Sequence, residues 1–123
     1  MKSLATEKAP AAIGPYSQGY EANGLIFTSG QLPIDMATGE LEGEIKAATL
    51  ASLNNVKAIL GSAGVGVEKI VKTTVFLRDM NDFAEMNQVY QEFFGNHAPA
   101  RSTVQVAKLP KDAIVEIEVI AAK

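Results

Sequence analysis

The stretch Tyr16-Ser17-Gln18-Gly19-Tyr20-Glu21-Ala22-Asn23-Gly24-Leu25-Ile26-Phe27-Thr28-Ser29-Gly30-Gln31 decides the fold class. Asn23-Gly24 separates two strand-like runs, and this dipeptide favours the two-residue type I′ turn because both of its residues tolerate positive φ. A hairpin closed there predicts Ala22 opposite Leu25, Tyr20 opposite Phe27, Gln18 opposite Ser29 and Tyr16 opposite Gln31. Side chains alternate along strands, so Tyr16, Gln18 and Ser29 are expected on one face.

Downstream, Pro33 to Gly43 is rich in turn residues, after which Ile45, Ala48, Leu53, Val56, Ile59, Leu60 and Ala63 recur near the helical period. Gly61 and Gly64 are expected to serve the end of that helix. The run Gly61-Ser62-Ala63-Gly64-Val65-Gly66 has the look of a nucleotide loop, but it follows a helix and precedes a strand, the reverse of the phosphate-binding arrangement. Val71, Thr73, Val75 and Leu77 alternate with Lys72, Thr74, Phe76 and Arg78, a pattern suited to a strand. A second helix follows with Phe83, Met86, Tyr90, Phe93 and Phe94 as its apolar stripe and Asp82 as a first-turn acid or cap. Beyond Pro99, Arg101 to Ala107 and Ala113 to Ala121 read as strands joined by Lys108-Leu109-Pro110-Lys111-Asp112. The predicted order is β-β-α-β-α-β-β, an α+β fold with two helices packed on one face of the sheet. The 123 residues suit a single domain, 1–123, with no repeat or low-complexity tract.

Composition removes much chemistry. Cysteine is absent and His97 is the sole histidine, which excludes a thiolate nucleophile, thiolate zinc sites and a His-rich metal site. A Ser-His-Asp triad would need His97, and its place after the second helix reads instead as a solvated residue near a helix end. The net charge of −3 offers no general attraction for nucleic acid, although Arg101, Lys108 and Lys111 form a possible local basic patch. The first residues lack an apolar leader and no run is long enough to span a bilayer, so a cytoplasmic, membrane-free protein is expected.

Two carboxylates interrupt the apolar last strand, where Ile114, Glu116, Glu118 and Ile120 alternate with Ala113, Val115, Ile117, Val119 and Ala121. Two readings stand. Either these glutamates lie on a solvated outer face, or one is a cleft carboxylate. Arg101, Thr103 and Gln105 share a face of the preceding strand and are expected close to the glutamates, in an arrangement that a structural Arg-Glu pair would also produce.

Several segments, in order along the chain, resemble the signatures of the RidA/YjgF family: Ala9-Pro10-Ala11-Ala12-Ile13-Gly14-Pro15-Tyr16-Ser17-Gln18-Gly19, Thr28-Ser29-Gly30-Gln31, Lys72-Thr73-Thr74-Val75-Phe76 and Pro99-Ala100-Arg101-Ser102. Val104 to Ala107, Leu109-Pro110-Lys111-Asp112 and Val115-Glu116-Ile117-Glu118 continue the match, which runs from about Ala9 to Ala121. The resemblance implies a chorismate-mutase-like (YjgF-like) fold and a homotrimer with active sites between subunits. It implies hydrolytic deamination of reactive 2-imino acids, released by PLP-dependent dehydratases, to 2-keto acids and ammonia, with no cofactor and no metal.

By motif, the resemblance makes Arg101 the residue that binds the substrate carboxylate and Glu116 the one that positions the attacking water. It puts Tyr16, Ser29, Gly30 and Asn87 in the pocket, while simpler roles stand beside these: a core tyrosine, a strand bend, and an asparagine serving a buried hydrogen bond. Thr103 occupies a position where many members carry cysteine, and its backbone amide or hydroxyl is expected to face substrate. Two further readings follow from relatives: a regulatory protein that binds small carboxylates in the same cleft, and an endoribonuclease or translation inhibitor. The acidic chain, single histidine and lack of an aromatic platform disfavour the latter.

Overall fold

The computed structural model describes all 123 residues. Strand β1 (Lys2–Leu4) leads to the hairpin of β2 (Gly19–Ala22) and β3 (Leu25–Thr28), and a small ribbon follows, β4 (Ile34–Asp35) and β5 (Glu40–Leu41). Helix α1 (Ile45–Gly61), β6 (Ile70–Leu77), α2 (Phe83–Phe94), β7 (Ala100–Gln105) and β8 (Val115–Ala122) complete the chain. The hairpin turns at Asn23 and Gly24, with φ of 51° and 76°, which are type I′ values. Ala22 pairs with Leu25 and Tyr20 with Phe27, and the Ser29 amide donates to the Gln18 carbonyl at 2.9 Å, so the predicted register holds that far. It does not reach Tyr16 and Gln31, because Gln31 leaves the hairpin to bridge Ile117 in β8.

The main sheet has the order β1-β2-β3-β8-β6-β7. All neighbours are antiparallel except β6 and β7, which run parallel across the α2 connection. Both helices cover one face. Ile26, Val75, Leu77, Val115, Ile117 and Val119 supply the sheet side of the core, and Leu53, Val56, Ile59, Leu60 and Met86 the helix side. The opposite face is open and carries Tyr20, Phe27 and Val104 at 41%, 39% and 43% exposure, large apolar groups that one chain leaves in water.

The expected element order and the helix-on-one-face α+β arrangement are found, with three local corrections. β1 and the β4–β5 ribbon were not expected, because two or three residues carry no readable period. Asp82 makes no side-chain cap; Asp79 does the capping instead, accepting from the Asn81 amide at 2.9 Å in the 3-10 turn that leads into α2. At the end of α1 only Gly64 adopts the left-handed conformation (φ 72°), while Gly61 is the last helical residue.

Candidate active site in two halves

One half lies on the helix face of the edge strand β7. Arg101 pairs with Thr73 and Thr103 with Val75 across the parallel ladder, and Thr73 and Val75 are buried beneath the helices, so Arg101 and Thr103 point the same way. Helix α2 receives the guanidinium. Nη1 of Arg101 donates to Oδ1 of Asn87 at 2.7 Å, and Cζ lies 4.7 Å from the Tyr90 ring centroid and 5.4 Å from that of Phe83. Neither of the chain's ion pairs, Arg78–Asp112 and Lys123–Glu21, involves Arg101, so its charge is held by rings and an amide. Such an arrangement suits capture of an external carboxylate, since a guanidinium has five N–H donors and Asn87 engages one. The Thr103 hydroxyl oxygen is buried with no hydrogen-bond partner, an orphan that a ligand or a neighbouring chain would satisfy.

The other half lies on the open face. Glu116 pairs with Phe76 and Glu118 with Thr74 in the β6–β8 ladder, and both side chains project away from the helices. Glu116 abuts Gly30: a Cβ at that glycine would come within 2.6 Å of the Glu116 Cδ, so the absent side chain is what makes room for the carboxyl. Burial, reinforced by the charge of Glu118, pushes the Glu116 carboxyl above the ordinary carboxylate range. Beside it opens a cavity of about 410 Å³ walled by Ile13, Tyr16, Gly30, Gln31, Pro110 and Lys111. Its lip is strained, because Lys111 and Asp112 both hold positive φ (57° and 55°), and Arg78 secures them through the Asp112 carbonyl at 2.9 Å and carboxylate at 3.3 Å.

The structure therefore gathers Tyr16, Gly30 and Glu116 in one place and Arg101, Asn87 and Thr103 in another. The expected closeness of Arg101 to the glutamates within one chain is not found. Strand β6 separates β7 from β8, and the ladder puts Arg101 level with Thr73 but Glu116 level with Phe76, three positions along and hence on the opposite face. Ser29 turns inward, donating its hydroxyl to the Ser17 carbonyl at 2.6 Å, and so braces the segment ahead of the hairpin. The shared face of Tyr16, Gln18 and Ser29 also dissolves: Tyr16 is exposed, whereas Gln18 is buried and clamps Thr6, Ala9 and Pro10 through its amide. His97 is half-buried rather than solvated, with Nε2 bonded to the Ile70 carbonyl at 2.7 Å.

The sequence marks Phe83 and Tyr90 only as members of an apolar stripe, with no role at a site, because that stripe also builds the core. Their spacing with Asn87, four residues and then three, was the available signal, since it puts one polar and two aromatic groups on a single helical line.

Known proteins resemble this chain along nearly its whole length. The family model described as Endoribonuclease L-PSP matches residues 6–123. The chain is 54% identical over 125 residues to the 2-iminobutanoate/2-iminopropanoate deaminase of Escherichia coli K12, covering 99% of this chain and 98% of that one. It is 54% identical over 119 residues to a RutC family protein of Pyrococcus horikoshii, covering 96% and 94%. Among solved structures, the yjgF gene product of E. coli superposes with a TM-score of 0.96 at 53% identity, covering 100% of this chain and 99% of that one. E. coli TdcF with bound serine gives 0.95 at 49% identity, with the same coverage. With a family model spanning nearly its whole length and relatives above half identity from end to end, this chain belongs to the Endoribonuclease L-PSP family, the RidA/YjgF family whose signatures its sequence carries.

Proposed function

We propose that this protein is a hydrolase of C=N bonds that deaminates 2-imino acids such as 2-iminobutanoate and 2-iminopropanoate to 2-keto acids and ammonia. The observation that carries the reading is Arg101, a guanidinium braced by Asn87, Phe83 and Tyr90 yet without a carboxylate partner in its own chain. Arg101 binds the substrate carboxylate bidentately and sets the imine carbon before a water oriented by Glu116. The water oxygen bonds to that carbon and its proton passes to Glu116, giving a carbinolamine. The amine nitrogen then takes that proton back from Glu116, the C–N bond breaks to release ammonia, and the hydroxyl gives its own proton to the Glu116 carboxylate as the C=O bond of the keto acid forms. The protonated imine is already electrophilic, so positioning and one base suffice. Tyr16 and Gly30 wall the Glu116 side of the cleft, Thr103 offers its hydroxyl on the Arg101 side, and Ser29 supports the wall from behind.

Because one chain presents Arg101 and Glu116 on opposite faces of its sheet, the reading requires the site to form between subunits, in a homotrimer of single-domain chains in which the β7 edge of one subunit meets the open sheet face of the next. The exposed Tyr20, Phe27 and Val104 of that face support such burial. A coupled assay in which a PLP-dependent dehydratase generates the imine tests the activity. Ammonia release is expected to accelerate with wild type, to fall nearly to the uncatalysed rate with Arg101→Ala, and to fall by about 10- to 100-fold with Arg101→Lys, which keeps charge but loses the fork. Wild-type protein that leaves the uncatalysed rate unchanged would overturn the reading.

A further inference from the structure

Helix α2 presents Phe83, Asn87 and Tyr90 at positions i, i+4 and i+7, one line along its surface, and all three meet the same guanidinium. Asn87 takes one N–H of Arg101, whereas the rings at 5.4 and 4.7 Å engage the delocalised charge without consuming a donor. Tyr90 is itself fixed: its buried hydroxyl lies 2.7 Å from Oγ1 of Thr73, which is fully buried in β6 and is the ladder partner of Arg101. A closed circuit results, from the sheet through Thr73 and Tyr90 to the Arg101 side chain and back to the sheet. Packing alone does not call for it, because a phenylalanine and a valine would fill the same space without any polar atom to satisfy.

Resting on the reading of Arg101 as the carboxylate anchor, we infer that Tyr90, held in place by Thr73, is a positioning residue that pre-orients the Arg101 guanidinium for the substrate carboxylate. An arginine side chain free to rotate must be ordered when the ligand arrives, and a fixed platform removes that loss of affinity. The role belongs to substrate capture more than to bond making, so its signature is in KM.

The test uses the intact protein with Tyr90→Leu, Tyr90→Phe and the double variant Tyr90→Phe/Thr73→Val. KM for the imino acid is expected to rise about tenfold in Tyr90→Leu and about threefold in Tyr90→Phe, with kcat within about twofold of wild type. The double variant, having no orphaned hydroxyl, should melt near wild type while keeping the raised KM. In parallel, ¹⁵N NMR of the Arg101 guanidinium should show faster rotation about its Nε–Cζ bond in each variant, and titration with 2-oxobutanoate should show weaker binding. A KM within twofold of wild type in Tyr90→Leu, or a KM that recovers together with melting temperature in the double variant, would overturn the inference. Should wild type fail to turn over imines, the deaminase reading falls by itself, and the guanidinium rotation decides the positioning role: unchanged rotation refutes it.

Discussion

Glu116 meets two influences of the same sign, burial first and the negative charge of Glu118 second, and both hold its proton more tightly. Folding therefore favours the protonated form. The contribution to stability is fully present below the ordinary carboxylate range and is lost as pH rises through the elevated value, so stability falls across that interval. Glu116→Gln is accordingly expected to melt above wild type at pH 7 while losing most turnover, a divergence visible by comparing thermal unfolding with ammonia release. In the proposed mechanism Glu116 must be deprotonated to act as the base, so kcat/KM should climb along an acid limb as pH rises through its raised value. Glu118→Gln removes one of the two causes and should move that limb to lower pH with kcat largely kept; a limb that stays in place would contradict the coupling. Gly30→Ala is expected to displace the Glu116 carboxyl, lowering kcat by about tenfold or more in the coupled assay while the far-UV spectrum stays native. The sequence disclosed that two glutamates alternate with apolar residues. It did not disclose which one meets a glycine, because that contact joins residues far apart in the chain.

Hairpin β2–β3 was legible in detail because Asn23-Gly24 leaves the chain one comfortable turn, and both residues take positive φ as that turn demands. Gly24→Ala puts a Cβ at φ 76° and is expected to cost about 1 kcal/mol, read as a lowered melting temperature with kcat near wild type once folded. Helices α1 and α2 were legible from their period, whereas the ribbon β4–β5 was too short to leave a pattern. Strand order was the larger omission. Alternation in β7 and β8 correctly grouped Arg101 with Thr103 and Glu116 with Glu118, but no local pattern says that β6 runs between the two strands, parallel to one and antiparallel to the other. That insertion is what parts Arg101 from Glu116.

At the scale of the whole molecule, the proposed mechanism requires the Arg101 half of one subunit to complete the Glu116 half of the next, because one chain holds them on opposite faces of its sheet. Light scattering should report three chains per particle at micromolar concentration, and a monomer would leave both halves incomplete. Subunit complementation asks the sharper question. Arg101→Ala supplies Glu116 without the anchor, and Glu116→Gln supplies the anchor without the base, so each homotrimer should be nearly inactive. In trimers reassembled from an equal mixture, about one cleft in four joins an intact Arg101 to an intact Glu116 by random pairing. The mixture is therefore expected to recover about a quarter of wild-type ammonia release, whereas activity no greater than the average of the two separate variants would contradict an active site shared between subunits.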